Sequence, residues 1–262
     1  MKKKTQLFLL LLLLLCFPEL VTGQEEKSPY IYHSFTYETG ITRMKEKILF
    51  PIVHKGSVNG LTYRYEKRGK NYHEIFVSLR YSKIKTDLET EKVSQNVQFG
   101  IGYCMGFLLV INEKMNYYLG YNLRYAHSLA EFPVWDESRA YWATSLTSGI
   151  SNRLFINNKT NQSWFFSWDI NPMGLYSRPD EVRIYAQENW SLSSILKTTN
   201  SNIKPGLINN VLLSNFRTEY RFHSKNDNYF ALLYSFSYSR ICTTNEQPQM
   251  NSISNFGISL GF

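Results

Sequence analysis

Histidine stands beside serine at His127-Ser128 and at His223-Ser224, the residue types a hydrolase uses as base and nucleophile. Neighbours in an extended strand point to opposite faces, so neither pair can act alone. His127 and Ser128, with Glu131 and Asp136 close in sequence, form the better candidate. The five histidines (His33, His54, His73, His127, His223) and the cysteines show no Cys-x-x-Cys or His-x-x-x-His spacing, so neither a metal nor another cofactor is expected. Gly100, Gly102 and Gly106 resemble a phosphate loop only superficially, because they alternate within a strand pattern and do not open a helix. Cys104 falls mid-strand and Cys242 near a loop, so a disulfide between them is not expected.

The elements that would carry these residues are strands. From residue 93 to 109, Val93, Gln95, Val97, Phe99, Ile101, Tyr103, Met105, Phe107 and Leu109 alternate with small or polar residues, a period of two. The same code recurs over 117–126 and 230–239. Soluble strands typically run about 5–6 residues and membrane-crossing ones roughly 9–11. The spacing predicts ten long strands, at 30–38, 57–67, 72–85, 93–109, 116–127, 140–154, 163–173, 208–222, 229–241 and 252–262. Short polar turns at 68–71, 112–114, 157–161 and 224–228 alternate with longer connections at 39–56, 86–92, 128–139, 176–207 and 243–251. The connection over 176–207 has room for a strand extension or a short amphipathic helix; two further crossings there would make twelve strands. Gln187, Glu188 and Asn189 would then lie mid-membrane, so ten is preferred.

Residues 1–23 have the parts of a secretory signal: Lys2 to Lys4, an apolar run over 7–17, and Val21-Thr22-Gly23 before Gln24. Cleavage near Gly23 is expected, leaving 24–262 as one barrel domain. Cys16 follows Leu15 where a lipidation site would have a small residue. The chain has 29 Lys+Arg against 21 Asp+Glu; three lysines and one glutamate fall in the leader, leaving 26 basic and 20 acidic residues. That excess suits anionic lipid or glycolipid; a nucleic-acid partner is not expected of an exported membrane chain. Composition, 43% apolar and 19% charged, excludes disordered and helical multi-span classes.

The chain ends Asn255-Phe256-Gly257-Ile258-Ser259-Leu260-Gly261-Phe262. With its polar residue, glycine, apolar residue and terminal aromatic, this segment resembles the C-terminal signal of Gram-negative outer-membrane β-barrel proteins. The resemblance rests on Asn255, Gly257, Leu260 and Phe262 and identifies no functional subfamily. It implies an all-β fold, a closed antiparallel transmembrane barrel of about ten strands, located in the cell outer membrane and inserted by a barrel-assembly machinery.

A closed barrel tolerates charge on its inward face. Parity places Glu38, Arg64, Glu66, Glu74, Arg80, Arg124, Arg153, Asp169, Arg217, Glu219 and Arg221 there, six arginines and five acids, with Ser34, Thr62, Ser78, Asn122, Ser145, Thr147, Ser167 and Asn171. Eight strands are just filled by side chains and sixteen to eighteen leave a channel, so the lumen of ten is expected to be plugged by ion pairs. The rings of Tyr30, Tyr32, Tyr37, Tyr63, Tyr65, Tyr81, Tyr117, Tyr125, Trp142, Trp164, Trp168, Tyr220 and Phe222 fall mainly toward strand ends, as a headgroup-level girdle would require. The expected role is structural, surface-binding or that of an accessory subunit, with another outer-membrane protein or a surface ligand met through the long loops. A lipid-modifying hydrolase using His127 and Ser128, and a narrow channel, are the alternatives.

Overall fold

The computed structural model describes residues 30–47, 52–86, 93–112, 114–133, 140–159, 161–178, 191–200, 202–224, 228–242 and 248–262. The expected signal segment and its Cys16, Asp136, and 179–190 of the long connection lie outside the described residues. The elements are β1 (Tyr30–Glu46), β2 (Val53–Arg68), β3 (Asn71–Lys85), β4 (Ser94–Ile111), β5 (Met115–Glu131), β6 (Ala140–Lys159), β7 (Gln162–Ser177), helix α1 (Leu192–Thr199), β8 (Lys204–Gly206), β9 (Val211–His223), β10 (Tyr229–Cys242) and β11 (Pro248–Gly261). Every wall strand is antiparallel to both neighbours. Ten strands form the wall; three-residue β8 extends the sheet only at the upper end of β7, through Gly174–Gly206 pairing.

Closure is made by the first and last strands. β1 pairs with β11 from Ser34–Gly261 to Glu46–Gln249, and His33 and Phe262 exchange backbone hydrogen bonds of 2.8 and 2.9 Å. Gly257 sits opposite Glu38, and a Cβ there would meet the Tyr37 carbonyl oxygen, so a bare backbone lets the seam close at this point. On β11, Phe256, Ile258, Leu260 and Phe262 face out, while Asn255 and Ser259 are buried inside.

Strand ends depart from expectation at the loop rim. The loop expected over 39–56 contracts to 47–52, because β1 runs on to Glu46 and β2 begins at Val53; the one expected over 243–251 contracts to 243–247. Hydrophobic alternation stops at Ile41 on β1 because Arg43 and Lys45 face outward above it, where the outer surface has no need to be apolar. The ladder continues without that signal. Part of the long connection is α1, which is too short to cross a membrane.

The two faces differ as a membrane wall requires. Phe35, Ile41, Leu61, Leu79, Ile150, Trp168, Leu232, Phe256 and Leu260 are exposed on the outside, while charged and hydroxyl side chains are buried inside. An outward apolar, inward polar sheet is the inverse of a soluble fold, and lipid satisfies its outer surface. Two rings of the expected girdle do not belong to it: Tyr32 points inward against Tyr229, and Trp142 is buried.

Candidate functional site

The interior is layered along the barrel axis. At the short-turn end, Tyr72, Tyr118, Phe155 and Phe165 form a buried aromatic cluster with Cys104. Arg68 lies over the Phe155 ring at 3.9 Å and over Tyr32 at 4.8 Å, while Arg221 lies over Phe165 and Tyr229, each at 4.6 Å. Cations on ring faces stay partly compensated where water is excluded. Tyr72, Phe165, Glu219 and Arg221 have essentially no exposure, so this layer is a solid floor.

Ion pairs knit the floor to the layer above. Arg221 donates through both terminal nitrogens to Glu66, 3.2 Å each, and through Nε to Glu219 Oε2 at 2.7 Å. Arg68 pairs with Glu66 and Arg217 with Glu219. Tyr72 OH donates to Glu66 at 3.2 Å and to Glu74 at 3.0 Å. Arg153 holds Asp169 with two bonds, 2.7 and 3.2 Å, and Glu74 at 2.9 Å, and Glu74 also takes Arg64 at 2.5 Å. Higher up, Glu38 accepts from Arg80 at 3.1 Å, Ser235 at 3.1 Å and Asn255 at 3.4 Å. Arg124 lies 5.2 Å over the Phe76 ring, and among the described residues no carboxylate pairs with it. Above this layer lies a small space of about 70 Å³, lined by Ser78, Arg80, Arg124, Ser145, Ser237 and Asn251 among others.

All eleven charged residues picked out by parity therefore lie in the lumen. Three others lie there that parity over short strands missed. Arg68 falls in the expected turn over 68–71, and Glu46 and Arg178 in the expected connections over 39–56 and 176–207. Arg178, fully buried near the loop rim, pairs with Glu46 and donates to the Ile241 carbonyl at 2.7 Å, while Gln249 donates to Glu46 at 3.1 Å. Carrying the alternation Glu38, Gly40, Thr42, Met44 past the apolar belt would have placed Glu46 inside.

His127 and Ser128 are not brought together. The His127 ring, on the outer face, shares a 2.8 Å hydrogen bond with Thr144 Oγ1, and Ser128, on the inner face, donates to Asn96 Oδ1 at 2.9 Å. Glu131 is exposed on the outside. His223 bonds Ser163 at 2.8 Å beside the short turns. Cys104 and Cys242 are both buried, and no disulfide joins them: Cys104 sits in the floor opposite Glu74, and Cys242 ends β10 at the loop rim. Among the described residues no group of His, Cys, Asp and Glu is arranged to hold a metal.

No protein-family model and no curated sequence matches the chain. Solved structures do. The outer membrane protease OmpT from Escherichia coli superposes with a TM-score of 0.51 at 6% identity, covering 93% of this chain and 99% of that one. The fold is that of an outer-membrane β-barrel. The attachment invasion locus protein Ail of Yersinia pestis aligns over 88% of this chain and 98% of its own at 12% identity, with a TM-score of 0.34. The translocator domain of the autotransporter NalP from Neisseria meningitidis aligns over 87% of each chain, with 7% identity and a TM-score of 0.32. At such identities an outer-membrane barrel shares its wall, and its chemistry has to be read from its own side chains.

Proposed function

We propose that this chain is an integral protein of the bacterial outer membrane with a structural, surface-binding or accessory-subunit role, its lumen closed by its own side chains. The observation that carries this reading is the floor: Tyr72, Phe165, Glu219 and Arg221 without exposure, cross-linked by charge from β2, β3, β6, β7 and β9. A pore needs a continuous wet path, and an interior packed with rings and ion pairs offers none at this level. Recognition then belongs to the loop rim, where the longest connection carries α1 and β8. The placing of His127 outside and Ser128 inside removes the support for a hydrolase built on that pair.

Planar bilayers containing the purified barrel should stay electrically silent. Cutting Tyr72, Phe155 and Phe165 to alanine should give conductance steps, because it removes the rings and leaves the arginines to hydrate. Conductance steps from the unaltered protein would overturn the closed-lumen reading.

A further inference from the structure

A second feature lies on the outer face, and its interpretation rests on the membrane reading above. Arg43 on β1 stands opposite Lys55 on β2, which stands opposite Lys85 on β3. Three cations thus occupy one register row across three strands. Lys83 on β3, opposite Ser57, and Lys45 on β1, opposite Val53, flank the row. From Lys45 a second register row, two residues further along β1, runs through Met250 to Arg240 on β10, whose Nε is buried without a hydrogen-bond partner. Arg43, Lys55, Lys83 and Lys85 are exposed. Among the described residues none of these six cations is in an ion pair, and the one acid facing outward, Glu131, lies across Gln95 from Lys83.

Like charges directly opposite one another in a sheet repel and destabilise it. A wall that places three side by side without internal compensation is built to meet an external anion. Depth identifies which. Below the row Ile41 is exposed on β1, and on β3 Tyr81, four residues from Lys85, donates its hydroxyl to Gln95 at 3.0 Å, the arrangement of an interfacial ring. The opposite girdle is His33, Tyr63, Phe35 and Phe262, with His33 Nδ1 2.7 Å from Tyr63 OH and rings stacked at 6.0–6.2 Å around His33. From His33 to Arg43 is ten residues. At about 3.3 Å per residue and a tilt of about 40°, that is roughly 25 Å along the axis, the height of the apolar band of an outer-membrane barrel.

From this we infer that the Arg43–Lys55–Lys85 row, with Lys45, Lys83 and Arg240, binds membrane-anchored phosphates, the headgroup phosphates of an anionic glycolipid in the leaflet at the loop rim. Soluble phosphate would meet the same cations. Only a headgroup anchored at the edge of the apolar band is held opposite the whole row, so the lipid is the ligand the placing favours.

The test uses the full barrel in nanodiscs of phosphatidylcholine, of phosphatidylcholine containing lipid A, and of phosphatidylcholine with inorganic phosphate in the buffer, comparing wild type with R43Q/K55Q/K85Q. Each cation near an anionic surface contributes about 1 kcal/mol, so lipid A should be retained roughly a hundredfold more weakly by the variant. The unfolding midpoint supplies a readout that reverses sign. The variant should be the more stable protein in phosphatidylcholine, where repulsion is relieved, and the less stable one with lipid A. Equal retention of lipid A by both proteins, or an equal shift by inorganic phosphate and by lipid A, would overturn the inference. Failure of both proteins to enter nanodiscs at all would instead overturn the membrane reading.

Discussion

Replacing Arg153 by methionine should cost about 3–5 kcal/mol of folding stability, the penalty for stranding buried charge, and the charge stranded is on Glu74 and Asp169. Arg153 leaves β6 with its guanidinium fully engaged: Nε to Glu74, and both terminal nitrogens to Asp169. Ser151 adds a 2.7 Å bond to Asp169 and contacts Cys104 Sγ at 2.9 Å, so the site is coupled to the floor. Lysine cannot restore the two-pronged geometry. Arg153→Met/Asp169→Asn should recover part of the loss, since it removes one of the two orphaned charges while Arg64 continues to hold Glu74. Urea titrations of refolding into detergent micelles would measure both variants. An Arg153→Met protein as stable as wild type would mean that water reaches this layer freely and that the lumen is not closed there.

Ile101→Arg should be the second large effect. Ile101 is near the middle of β4, on the outer face, opposite Val77 of β3 and Tyr125 of β5. An arginine facing lipid near the midplane costs roughly 2–4 kcal/mol, and one near an interface about 0–1. Val93 lies just before β4 begins and is exposed at the loop rim, so Val93→Arg should be close to neutral. The depth dependence is the diagnostic. In a soluble sheet both positions would be solvent-facing, and both changes would fall within about 0.5 kcal/mol.

The wall was legible in the sequence wherever lipid touches it, since lipid forces one face to be apolar. Over Val97 to Tyr103 the outward residues are Val, Phe, Ile and Tyr and the inward ones Gln and Gly, and β4 follows from that pattern. Beyond the bilayer the constraint lapses. Arg43, Lys45 and Lys55 are wall residues whose types look like loop, which is why β1 and β2 are longer than the alternation indicates. The lumen charges were legible for the same reason of parity, but their pairing was not. Arg153 reaches Glu74 on β3, across the barrel from its own strand pair, a relation that depends on closure and on side-chain length. The basic row was invisible for a related reason: Arg43, Lys55 and Lys85 become neighbours only once strand register is fixed.

The central claim, that this sheet is closed around a packed interior with its apolar face against lipid, is tested most directly by a spin-label scan of positions 97 to 103 in reconstituted liposomes. Collision with lipid-dissolved oxygen should peak at 97, 99, 101 and 103 and fall at 98, 100 and 102, while a water-soluble nickel chelate should not freely reach 97, 99, 101 or 103. Free access of the chelate to the odd-numbered positions would show that this face is in water, and no membrane barrel could then be built from the chain.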